Sequence, residues 1–196
     1  MARPLAAPGT ASSLALALLG ILGGAVLLAA FALDFPSDLN VLRLVLFNAG
    51  AIAIVFAVYR NQVSVAPGLS LLAAVPALLS NAWYLAMIIL SIGNPHPFAG
   101  LNGMVFFTAG VAMWLSDAAF GLVALRIGVV GPWGPLALAI GSALAITGMD
   151  RLELTTPDNP TIFGLLSLIG VALNGVGWIL LGFEVATQAT RTRIVR

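Results

Sequence analysis

Apolar residues run through this chain in six long stretches, separated by short clusters of polar residues, proline and glycine. The stretches cover residues 12–33, 41–59, 66–92, 103–125, 135–149 and 161–183. A helix needs roughly 20 mostly apolar residues to cross a bilayer. Five stretches meet that length readily. The fifth is short unless Trp133 and residues 127–131 extend it, although Pro132 and Pro135 suit the first turn of a helix. The pattern predicts an all-α integral membrane protein, a bundle of six transmembrane helices forming a single polytopic membrane domain over residues 1–196.

The connections, at 34–40, 61–65, 93–100, 126–134 and 150–160, leave no room for a domain outside the membrane. The first stretch admits two readings. Arg3 and the Ala30-Phe31-Ala32 triplet resemble the ends of a signal peptide. An apolar run of 22 residues nevertheless exceeds the roughly 7–15 of an ordinary signal core. A retained helix is the expectation.

Charge sets the predicted orientation. With six spans, one side of the membrane carries Arg3, Arg60, Arg126, Arg191, Arg193 and Arg196 and no acid outside the helices. The other carries Arg43 and Arg151 against Asp34, Asp38, Asp150, Glu153 and Asp158. Arginine is retained on the cytoplasmic side, so both termini are expected in the cytoplasm, with the plasma membrane of a bacterium as the expected location. The terminal arginines also suit anionic lipid headgroups.

Composition narrows the chemistry. Hydrophobic residues make up 61% of the chain and charged residues 8%, against roughly 25% charged in a soluble domain. Cysteine is absent, which removes thiol redox chemistry and thiolate metal sites. All eight basic residues are arginine, so no lysine is present to form a Schiff base. No basic stripe supports nucleic-acid binding, and no nucleophile–base pair, phosphate loop or dinucleotide fingerprint points to an enzyme. His96 faces scattered outer carboxylates without metal-ligand spacing. No cofactor or metal is expected.

The polar residues inside the stretches carry the remaining information. Asn48 lies twelve residues from Arg60, Asp117 nine from Arg126, and Asn174 ten from Glu184. At about 1.5 Å of rise per residue these depths are near the middle of a core about 30 Å thick. Asn81 lies somewhat further out. Trp114 shares a helix face with Asp117, Tyr84 with Asn81, and Trp178 with Asn174, whereas Trp83 points away. An ionisable residue at such depth is costly and marks a candidate site. Asp117, Asn48, Asn81 and Asn174, with Trp114, Tyr84 and Trp178, form the candidate ligand-binding polar core. The competing reading is structural, with the same groups joining helices by hydrogen bonds.

Weaker signals accompany these. Phe47–Ala53 echoes in Phe107–Ala112 and more faintly in Leu168–Ala172, with Gly50, Gly110 and Gly170 evenly spaced, consistent with three tandem helical hairpins. Gly20-x-x-x-Gly24 offers a small-residue face for packing or dimerisation. Pro76 interrupts the third stretch, and Glu184 sits among arginines at the inner boundary, placed for a salt bridge or snorkelling. Two functions follow. One is handling of a small molecule, lipid or ion at the Asp117 site. The other is a non-catalytic membrane subunit or scaffold that packs with itself or with another membrane protein.

Overall fold

The computed structural model describes residues 10–32, 37–92, 100–147 and 162–194. They form six α-helices: α1 (Thr10–Ala32), α2 (Ser37–Gln62), α3 (Pro67–Ser91), α4 (Gly100–Ile127), α5 (Trp133–Thr147) and α6 (Ile162–Ile194). All described elements are helical. Five of the helices are long and apolar enough to cross a membrane.

The helix ends follow local chemistry. Pro67 opens α3, where its missing N–H has no helical partner to lose. Helix α4 stops at Gly128, whose φ of 70° is the left-handed conformation that closes helices; its N–H reaches the Ala124 carbonyl at 3.1 Å. Helix α5 begins at Trp133, and the Leu136 N–H bonds the Pro132 carbonyl at 3.0 Å. With 15 residues α5 rises about 22 Å, short of a full crossing. Helices α2, α4 and α6 run past the apolar stretches into their flanking polar residues. Pro76 lies inside α3 on an exposed position, and the helix continues through it.

Each helix packs against its neighbours in sequence, and α6 closes onto α1, so the six form a ring in chain order. Helix α2 also touches α4 and α6, which sets it innermost. Aromatic side chains fill the interior. Phe47 meets Trp114 at 6.3 Å between ring centroids, and Phe120 stacks with Trp178 at 6.4 Å. Leu72, Leu79, Leu90 and Met104 point outward. In water such faces would demand a partner, whereas lipid solvates them. The construction is that of an integral membrane protein.

Helices α5 and α6 pack backbone against backbone. A Cβ on Gly141 would lie 2.4 Å from the Asn174 nitrogen, and one on Gly170 would lie 2.3 Å from the Ala145 nitrogen. Gly134 and Gly177 meet Leu181 and Leu138 along the same line. Glycine recurs every seventh residue on both helices, and the seam needs it because backbone touches backbone. The Gly20-x-x-x-Gly24 face is also used within the chain. Gly20 abuts Ile54 of α2, and Gly24 abuts Gly175 and Ile179 of α6.

Candidate polar site in the bundle interior

The structure pairs two of the predicted polar residues directly. Asn81 Nδ2 donates to Asp117 Oδ1 at 2.8 Å, joining α3 to α4, and also to the Ala77 carbonyl at 2.9 Å. Both residues are fully buried. Beside them Ser80 Oγ and Ser116 Oγ lie 2.5 Å apart, and each hydroxyl also approaches a carbonyl of its own helix, Ala77 or Met113. Two adjacent polar rungs therefore hold α3 to α4 where α5 and α6 use glycine.

One side of this cluster is left without donors. Asp117 Oδ2 and Asn81 Oδ1 are buried and have no hydrogen-bond partner. An unpaired buried acceptor forfeits the hydration it had in water, so it needs either a proton-bearing group or a cation. The site offers oxygens only.

The other predicted residues are buried as expected but do not all converge. Asn174 donates to Ser142 Oγ of α5 at 2.8 Å, a separate rung between α5 and α6. Asn48 donates to the Leu44 carbonyl of its own helix at 2.8 Å. Their side-chain oxygens also lack partners. Equal depth does not set equal direction, and each asparagine takes the nearest acceptor its own seam provides. Tyr84 packs on Phe106 at 4.9 Å and lies on the buried face with Asn81, while Trp83 is 40% exposed. Trp114 lies against Phe47, and the Trp178 indole N–H is buried without a partner. Among the described residues, Asn81 is the donor that reaches Asp117.

Sequence reasoning passed over four groups. Ser80, Ser116 and Ser142 complete the rungs; Ser80 and Ser116 directly precede Asn81 and Asp117, whereas Ser142 carried no such signal. Arg43, counted with the charges of the outer side, lies at the start of the apolar span of α2; its Nε is buried without a partner, within electrostatic range of Tyr84. At the opposite end, Glu184 Oε2 accepts the Gly131 N–H, and among the described residues no arginine pairs with it. A five-residue connection brings that amide back onto α6, and a partly buried N–H must find an acceptor. His96, Asp34, Asp150, Arg151, Glu153 and Asp158 lie outside the described residues, as does the side chain of Asp38.

No family model, curated protein or solved structure matches this chain, so the site is read from its own residues.

Proposed function

We propose that the protein handles a small polar or cationic species, an ion or a small molecule, at the polar site around Asp117. The observation that carries this reading is the pair of donorless oxygens, Asp117 Oδ2 and Asn81 Oδ1, flanking one buried hydrogen bond. Such a set accepts a proton, a metal cation or a ligand N–H, and it repels an anion. The pair sits within α3 and α4, both long enough to cross a membrane. The proposal keeps Trp114, Tyr84, Trp178, Asn48 and Asn174 as members of the wider polar core, with Asn48 and Asn174 bonded away from Asp117.

The test is flux in liposomes. Purified protein would be reconstituted and assayed for proton uptake with a pH-sensitive dye and for radiolabelled sodium uptake. Wild-type protein should move at least one of the two, and Asp117→Asn should abolish it while melting like wild type in detergent. If Asp117→Leu melts like wild type and leaves that flux intact, the reading is wrong.

The same proposal takes both termini as cytoplasmic, in a bacterial plasma membrane, from the arginine bias. It also takes the chain as three tandem hairpins in one domain. Gly50 packs on Gly23 of α1, and Gly170 packs on Gly141 and Ala145 of α5, each inside its own hairpin, which supports that relation. The alternative, a membrane subunit or scaffold, would place a partner on the outward leucine faces, because Gly20 and Gly24 already contact helices of this chain. A stoichiometric partner retained after gentle extraction would favour it.

A further inference from the structure

A second feature lies at the end of the bundle where α2, α4 and α6 finish. There the α4–α5 connection folds back onto α6 and leaves a groove of about 360 Å³. Trp133, Leu180 and Phe183 form its apolar walls, and Glu184 and Arg191 supply one charge of each sign. Trp133 is 71% exposed and Phe183 56%. The apolar span of α6 runs from Ile162 to Arg191, so the groove straddles the level where that helix leaves the apolar layer.

Hydrogen bonds hold this groove in shape. Glu184 Oε2 accepts the Gly131 N–H. Gln188 Nε2 donates to the Val129 carbonyl at 2.9 Å, and Gln188 Oε1 accepts from Asn61 Nδ2 at 2.9 Å. Connection, α6 and the end of α2 are thereby tied together. What remains open is the second Glu184 oxygen and the Arg191 guanidinium, for which no described side chain is a partner.

We infer that this groove seats the headgroup of a phospholipid bearing both a phosphate and a primary ammonium. The planar guanidinium of Arg191 matches phosphate oxygens with paired N–H groups. Glu184, two turns earlier on the same helix, accepts the N–H groups of a primary ammonium. A quaternary ammonium has none to give, and a net-negative headgroup meets repulsion from Glu184. Free phosphate would leave the walls of Trp133 and Phe183 uncovered, whereas the glycerol and acyl portions of a lipid lie along them. Tryptophan at this level suits the boundary between headgroups and chains. The inference is independent of the Asp117 reading, and Asp117→Asn leaves it untouched.

Native mass spectrometry of the delipidated full-length protein in mild detergent tests it. Phosphatidylethanolamine, phosphatidylcholine, phosphatidylglycerol and inorganic phosphate are added separately. The ethanolamine lipid should bind about tenfold more tightly than the other two lipids, a difference of about 1.4 kcal/mol. Arg191→Ala should lower that affinity by a similar factor. Glu184→Gln, which still accepts the Gly131 amide, should reduce ethanolamine binding to the choline level. Arg126→Ala removes an exposed arginine that does not line the groove and should change nothing. Equal binding of the three lipids overturns the inference. So does an Arg126→Ala loss as large as that of Arg191→Ala, or displacement of the lipid by inorganic phosphate. Because Arg191 is exposed, its variant keeps the test open even if Glu184→Gln fails to fold.

Discussion

Asn81 is locked against Asp117 in one orientation. Its Nδ2 group meets the carboxylate at 2.8 Å and the Ala77 carbonyl at 2.9 Å, both of them acceptors. Turning the amide over would face its oxygen with two other oxygens and lose both bonds. The free Asn81 oxygen beside the free Asp117 oxygen is therefore a consequence of the bonding, and it defines what the site can take.

This bond predicts non-additive stability. Asn81→Ala strips Asp117 of its described donor, and leaving a buried polar group unsatisfied costs about 1–3 kcal/mol. Asp117→Ala removes the group that needed the donor. The double variant should therefore lose less than the sum of the singles, by about 1 kcal/mol or more. Denaturant unfolding in detergent micelles measures all three, and strict additivity would refute the contact.

The same chemical change should have opposite signs at two glycines. Gly141→Ala drives a Cβ to 2.4 Å from the Asn174 nitrogen, so α5 and α6 must part, at a cost of about 3 kcal/mol. At Gly68, in the first turn of α3, an added Cβ meets nothing within 4 Å. There alanine should stabilise by about 0.5–1 kcal/mol through the unfolded chain. Melting temperatures of the two variants in one detergent would decide, and a neutral Gly141→Ala would contradict so close a seam.

Six helices were legible in the sequence, five from apolar length and α5 from a shorter apolar stretch opened by prolines, and so was the buried face shared by Asn81 and Tyr84, because the 100° step per residue turns Trp83 outward. The pairing of helices was not. Depth follows from rise per residue, but direction depends on which neighbour lies across each seam. Asn48 and Asn174 accordingly found acceptors away from Asp117. Ser80, Ser116 and Ser142 gave little signal because a serine on an apolar helix can satisfy itself on its own backbone, as Ser80 does at the Ala77 carbonyl at 3.2 Å. The seven-residue glycine spacing on α5 and α6 was not singled out in the sequence, although glycine there is what the close contact requires. The amide that Glu184 accepts was not legible, because the loop that supplies it lies 53 residues away in sequence.

Gly128→Ala tests the end of α4. A φ of 70° costs an L-residue about 1–2 kcal/mol. An added Cβ would meet nothing within 4 Å there, so the penalty is purely conformational. Asparagine tolerates this conformation better. Unfolding in detergent should rank the stabilities glycine, asparagine, alanine in descending order, and equal values for all three would show that the turn rearranges.

Gln188 links three segments, the α4–α5 connection, α6 and the end of α2. It donates to the Val129 carbonyl and accepts from Asn61, so Gln188→Leu loses both bonds and leaves that carbonyl and amide to find water. Hydrogen exchange should rise at residues 128–131 while the α3–α4 rungs stay protected, because no described bond connects the two regions. Asn61→Leu breaks one bond and spares the Val129 contact, so it should raise exchange less. The groove against α6 needs that connection in place. Gln188→Leu should therefore weaken ethanolamine-lipid binding although the leucine removes neither charge from the groove, and unchanged exchange at 128–131 would show that Glu184 alone holds the connection.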